Sequence, residues 1–420
     1  MSDSFLPAAV SAYLRKRSAS SSWQLNERPS RSFSGAVVIP SLAETANLPQ
    51  TLLSLSRNPV DLLDRFMILI VVNNRADADN ADIEDNLESV ALLPKWKLQY
   101  GLQNLFWVDA ASAGRELPLR QGVGLARKIG MDLALRHLDY SGRDPVLVCL
   151  DADTLVQPDY LPALVRHFDD AAAGGVSIPY RHRPAASQAG QAAIERYELF
   201  LRAYVLGLER AASPYAFHTV GSAMACRASA YIAAGGMNRR LAGEDFYFLQ
   251  QIFKTAGVAT LSGTTVHPSP RSSHRVPFGT GRAVGDMLAK GGERLLFYQP
   301  VVFAIVGDWL AYVTENHEAD AATLLNGALR ISPVLHEFLE QAGFGASWDN
   351  LKNNCRDSTR LIAAFHGWFD AFRTMRLIHH LSGRYPRIAP EEAVWPLLEV
   401  SAQINVSEML ELLRKLQGAG

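Results

Sequence analysis

Residues 146–154 read VLVCLDADT, an apolar run that passes straight into two carboxylates one residue apart, Asp151 and Asp153. A run with no polar alternation suits a strand buried on both faces, as in the parallel sheet of an α/β domain. Such sheets bind ligands beyond the carboxyl ends of their strands, which is where the two aspartates fall. In extended backbone, residues two apart point to one side, so both carboxylates can face a single cation or phosphate. A solvated turn after a strand would read the same, so the flanking sequence has to decide.

Upstream, strand-like and helix-like segments alternate. Gly35 to Pro40 (GAVVIP) is a short apolar run, and Asn47, Leu48 and Pro49 then place a cap-like residue and a helix-starting proline before TLLSLS. Phe66 to Val72 (FMILIVV) reads as a second buried strand, ending at Asn73 and Asn74, and Leu105 to Val108 as a third. The segment GVGLARKIGMDLAL has helical spacing and leads into VLVCLDADT. Strands separated by helices predict a doubly wound, mainly parallel sheet. Downstream, Pro158 opens a helix, Gly174 to Tyr180 is a strand, about 188–211 is a long helix, and Val258 to Val266 is a further strand ending at His267.

The chain has 420 residues, 48% of them apolar, enough for a large α/β domain plus a second unit. A net charge of −1 gives no bulk attraction to nucleic acid or anionic lipid. Cys149, Cys226 and Cys355 are widely spread and match no zinc or redox spacing, which favours a reducing compartment and a cytoplasmic location. The first 34 residues hold ten serines and lack the apolar core of a signal peptide, so residues 1–33 read as a mobile or surface-draped arm, helical near Phe5 to Leu14. From about Arg282 onward the pattern is helical. No apolar run there reaches the length of a membrane span, because Pro300 and Asp308 break the most apolar segment. The expected division is therefore arm 1–33, α/β domain 34–282 and helical region 283–420. Those last helices are candidates for a homo-oligomer interface, for shaping a substrate pocket, or for peripheral contact with a membrane surface.

The order VVIPSLAE, ILIVVNN, GVGLARKIGMDLAL and VLVCLDADT resembles the nucleotide-sugar half of a family 2 glycosyltransferase of the GT-A fold. The later stretch GSAMACRASAYIAAGGMNRRLAGEDFYFLQQIFKTAG resembles the acceptor half of the same family. The resemblance covers roughly Gly35 to His267 and implies a metal-dependent transfer from a nucleotide-diphosphate sugar to an acceptor hydroxyl. On that footing Asp153 is the direct ligand of Mn²⁺ or Mg²⁺, while Asp151, with Ala152 between them, reaches the ribose or the metal. His267 is implied as a third ligand. Pro40 and Glu44 after the first strand would lie near base and ribose. Asn73 stands where the family usually carries a base-binding aspartate, a departure that leaves the nucleotide undetermined.

Arg127 and Lys128 are candidate phosphate contacts, with a solvated basic helix face as the alternative. Arg271 and Arg275, in the acid-free stretch PSPRSSHRVPFGTGR, are candidates to cover the donor diphosphate or to grip an acidic acceptor. The pair Glu244 and Asp245 opens a helix. Family resemblance makes Asp245 the base that takes the acceptor's proton in an inverting transfer, with Glu244 as orienter or substitute base. Acids in a first helical turn are also favoured by the helix dipole alone. The alternatives are a retaining transferase acting on a small acidic acceptor such as phosphoglycerate, a nucleotidyltransferase, and a non-catalytic sugar-nucleotide binder. PSLAETANL lacks the Gly-rich loop expected of the nucleotidyltransferase.

Overall fold

The computed structural model describes residues 6–19, 22–272, 279–289, 295–399 and 404–419. The chain forms two compact units. The first comprises Met1–Gln191, Thr219–Asp286 and Leu416–Gly420, and the second Ala192–His218 and Met287–Lys415.

The first unit is built on a sheet of β1 (Gly35–Ser41), β2 (Phe66–Asn73), β3 (Leu105–Ala110), β4 (Val146–Cys149), β5 (Gly175–Ser177), β6 (Met224–Arg227) and β7 (Val258–Thr260). Its order is β3-β2-β1-β4-β6-β5-β7. Every pairing is parallel except those of β6 with β4 and with β5. β1, β2 and β4 are buried along their whole lengths, as their unbroken apolar runs require. The α/β class, the mainly parallel sheet with flanking helices and the helical C-terminal region all agree with the sequence expectation. From β1 the chain steps to β2 and β3 on one side and then returns to place β4 on the other. That reversal creates a topological switch point between β1 and β4, where α/β sheets hold their ligands.

In chain order the helices are α1 (Ala8–Arg17), α2 (Leu48–Leu55), α3 (Val60–Leu63), α4 (Asn80–Gln99), α5 (Val123–Ala134), α6 (Tyr160–Asp170), α7 (Gln188–Arg210), α8 (Ala228–Ala233), α9 (Glu244–Ala256) and α10 (Thr280–Ala289). They continue with α11 (Pro300–Glu315), α12 (Ala321–Ile331), α13 (Pro333–Gln341), α14 (Phe344–Asn354), α15 (Ser358–Trp368), α16 (Ala371–Leu381), α17 (Pro390–Leu398) and α18 (Val406–Leu416). Helix α5 lies directly on the sheet, with every residue from Gly124 to Ala134 buried. Gly130 permits this approach, since a Cβ there would stand 2.4 Å from a methyl carbon of Val38 and 3.0 Å from one of Val71. The expected strand Val258 to Val266 is shorter: β7 stops at Thr260, because Gly263 turns the chain at φ +82°. The chain returns to strand geometry only at Val266, which bridges Tyr180.

The N-terminal segment carries α1, whose Val10, Tyr13 and Leu14 are buried. The Tyr13 hydroxyl donates to Asp132 of α5 at 2.8 Å, and the Ala19 amide donates to the same carboxylate at 2.7 Å. These bonds fasten the segment to the helix that lies on β1 and β2.

The second unit is helical among its described residues. Most of α7 and the helices from α11 onward surround a core containing Trp309, Trp348, Phe344 and Phe365. Glu198 is fully buried there and is held by Arg202 at 2.9 Å and by Arg414 at 2.8 Å, the pairing a buried carboxylate requires. No helix among the described residues is long and apolar enough to cross a membrane.

Candidate active site

The carboxyl ends of β1, β2 and β4 bring together the acidic residues singled out in the sequence. After β1 the chain turns through Ala43, a non-glycine residue at φ +52° whose amide donates to Asn86 Oδ1 at 2.8 Å. Left-handed backbone at an alanine is costly and persists only where its surroundings enforce it. Here it delivers Glu44, which is buried, to the base of α2. The expected cap residue Asn47 does not cap α2 with its side chain. Its amide donates to Glu44 Oε2 at 2.9 Å instead, so a residue whose pattern suggested a helix signal orients the acid. Pro40 lies within β1, and the Ala152 carbonyl accepts from the Thr51 hydroxyl at 2.8 Å, which ties the DAD turn to α2.

Two guanidinium groups bridge the carboxylates. Arg271 donates through Nε to Asp153 at 2.9 Å and through Nη2 to Glu44. Arg127 donates through Nη2 to Asp151 and through Nη1 to Glu244. With Asp245 next to Glu244 at the start of α9, the described site carries more carboxylates than guanidinium groups. Burial pushes the Asp153 carboxyl up, against the pull of Arg271. Burial likewise raises Asp245, against the pull of Arg127. At both acids burial outweighs the neighbouring guanidinium groups. For Arg127 burial acts downward, yet the attraction of Asp151 leaves its pKa raised, so it stays charged.

The other expected residues divide. His267 pairs through its backbone with Leu155, two residues beyond Asp153, and its Nδ1 lies 3.2 Å from the Arg181 carbonyl. No three His, Cys, Asp or Glu side chains gather into a metal-holding set among the described residues. Asn73, at the end of β2, is buried with an Oδ1 that has no hydrogen-bond partner among the described residues, whereas Asn74 is engaged by Asn86 at 2.9 Å. Lys128 takes no part in the carboxylate group: its Nζ lies 3.2 Å from Asp132 and 2.7 Å from the Tyr13 hydroxyl. Arg275 lies outside the described residues. Cys149, inside β4, is inert as a nucleophile because burial pushes its thiol up to about 12.

Arg183, which was not among the expected site residues, donates through Nη2 to the Asp153 carbonyl at 3.0 Å. It stands after β5 in the basic run Arg181-His182-Arg183.

No family model and no curated relative matches the sequence. Among solved structures, TarS 1–349 of S. aureus in complex with UDP-GlcNAc is 12% identical at TM-score 0.39, covering 83% of this chain and 87% of its own. The mannosyltransferase PcManGT of Pyrobaculum calidifontis, in complex with GDP-Man and Mn²⁺, is 14% identical at TM-score 0.38, covering 98% and 91%. Glucosyl-3-phosphoglycerate synthase of Mycobacterium tuberculosis, in complex with UDP, is 17% identical at TM-score 0.34, covering 68% and 86%.

Proposed function

We propose that the chain is a metal-dependent, nucleotide-diphosphate-sugar glycosyltransferase of the GT-A type and that it inverts the anomeric centre. The observation that carries this reading is the surplus of carboxylates over guanidinium groups at the switch point between β1 and β4, on Glu44, Asp151, Asp153, Glu244 and Asp245. Glu44 and Glu244 are buried and paired with arginines, whereas Asp151, Asp153 and Asp245 are partly exposed, and negative charge clustered in this way is eased by a bound cation or by protonation.

Asp151 and Asp153 offer hard oxygen donors, which fits Mg²⁺ or Mn²⁺; His267 is not gathered with them in the structure and would have to turn toward them to add a nitrogen ligand that favours Mn²⁺. A divalent cation there supplies charge to the departing diphosphate. The protein's own groups do the rest. Asn73, with its unpartnered buried Oδ1, is a candidate for the nucleobase, and Glu44 for the ribose. Arg271 is suited to turn from its carboxylates to the diphosphate.

Asp245 takes the proton of the acceptor hydroxyl. Of the acidic pair it is the better base, because Glu244 is committed to Arg127 while burial raises the Asp245 carboxyl above its ordinary value.

The deciding assay supplies UDP- and GDP-sugars with Mn²⁺ and a panel of hydroxyl acceptors, and follows nucleoside diphosphate release together with product configuration by NMR. An inverted glycoside, lost in Asp245→Asn, is expected. Retained configuration removes Asp245 from the role of base. Absence of turnover together with absence of nucleotide binding refutes the whole reading.

A further inference from the structure

We infer that Arg127 is a positioning residue, a buried clasp that fixes the spacing between the DAD carboxylates after β4 and the acidic pair that opens α9. The inference rests on the functional reading above and goes beyond it by giving a role to a group whose two terminal nitrogens are both committed to protein carboxylates. The Arg127 side chain is only 2% exposed, and its two terminal nitrogens are directed to different elements, Nη2 to Asp151 and Nη1 to Glu244. The partners lie 24 and 117 residues away in sequence. A buried guanidinium is costly unless its donors are paired, and here two carboxylates take one terminal nitrogen each, while Nε has no hydrogen-bond partner among the described residues. The expected role of Arg127 as a phosphate contact is hard to reconcile with this burial and this engagement.

A second observation is independent of the ion pairs. Gly221 lies against the guanidinium, and a Cβ at that position would stand 2.5 Å from Arg127 Nη2. The space that admits the fork is thus left by the absence of a side chain on a segment distant in sequence from all three charged residues. Asp151 is two residues from Asp153, and Glu244 adjoins Asp245. Holding Asp151 and Glu244 on one rigid planar group therefore sets how far the proposed base stands from the donor-side carboxylates. A lysine has one nitrogen and no fork, so it cannot reproduce the span.

The test compares wild type, Arg127→Ala, Arg127→Lys and Gly221→Ala, each checked for folding by circular dichroism and thermal melting. With a nucleotide sugar that the wild type turns over, Arg127→Ala is expected to lose about 100-fold in kcat, the cost of misplacing reacting groups by about an ångström. Guanidinium ion, at concentrations below those that unfold the chain, restores about tenfold or more of that loss. Urea, the neutral isostere, restores none. Arg127→Lys stays impaired, and Gly221→Ala loses kcat without response to guanidinium.

Wild-type kcat in Arg127→Ala, or equal rescue by urea and guanidinium, overturns the inference. If Arg127→Ala does not fold, Gly221→Ala decides, and a folded variant with wild-type kcat overturns it. If the wild type turns over no nucleotide sugar, the functional reading fails separately. The clasp is then judged from a crystal structure of Arg127→Ala or, should that variant not fold, of Gly221→Ala. An Asp245 that has not moved relative to Asp153 overturns it.

Discussion

Replacing Arg271 by alanine should make the protein bind Mn²⁺ more tightly in the absence of any nucleotide. In the structure the Arg271 guanidinium is shared between Glu44 and Asp153, so a cation approaching Asp153 competes with a charge already in place. At about 4 Å and an effective dielectric constant of about 20, one such pair is worth about 4 kcal/mol, an upper limit. Arg271 is 30% exposed and Asp153 20%, and solvent screening of that degree moves the value toward the ~1 kcal/mol of surface pairs. Between these limits, roughly 1.5–2 kcal/mol converts to a ten- to thirtyfold lower Kd for Mn²⁺. The assay is titration of free Mn²⁺ by electron paramagnetic resonance on the full chain, repeated at higher salt, where screening should narrow the difference. An affinity that is unchanged or weaker in Arg271→Ala refutes the idea that the guanidinium holds the place of a cation.

Two further outcomes follow from the same geometry. Because burial raises the Asp245 carboxyl in the folded chain, its ionisation costs stability as pH rises through the unfolded value toward the folded one. Asp245→Asn should therefore melt at a higher temperature than wild type at neutral pH, with the gain fading in acid, while transferase activity falls. Asparagine keeps the acceptor for the Phe246 amide, now at 2.7 Å, so a lower melting point would contradict the assignment. Gly130→Ala should cost about 1–3 kcal/mol in denaturant unfolding by forcing α5 off Val38 and Val71, and wild-type stability would show that α5 tolerates the shift.

The sheet was legible because its strands are unbroken apolar runs, and β1, β2 and β4 fall where GAVVIP, FMILIVV and VLVC stand. The acidic residues were legible as well, since Asp151 and Asp153 follow a strand and Glu244 and Asp245 open a helix. Their counter-ions were not. Arg127 and Lys128 read as phosphate contacts or as a solvated basic helix face, yet α5 is buried on all sides, and the two turn to different carboxylates. The only local signal was the spacing of small residues at Gly124 and Gly130, which marks a helix pressed closely on its surroundings. Arg271 meets Glu44 across 227 residues, a contact that no local periodicity encodes. Asn47 shows the reverse case, because a pattern suited to capping a helix serves to hold an acid.

The central claim, that the carboxylates after β4 belong to a nucleotide-sugar site, is tested most directly by thermal unfolding of wild type and Asp153→Asn with UDP- and GDP-sugars, with and without Mn²⁺. A ligand present at about one hundred times its Kd stabilises by about 2.7 kcal/mol. The account predicts a rise in Tm for wild type that needs both nucleotide sugar and Mn²⁺ and is lost in Asp153→Asn. No shift with any nucleotide sugar, or the same shift in both proteins, would contradict it.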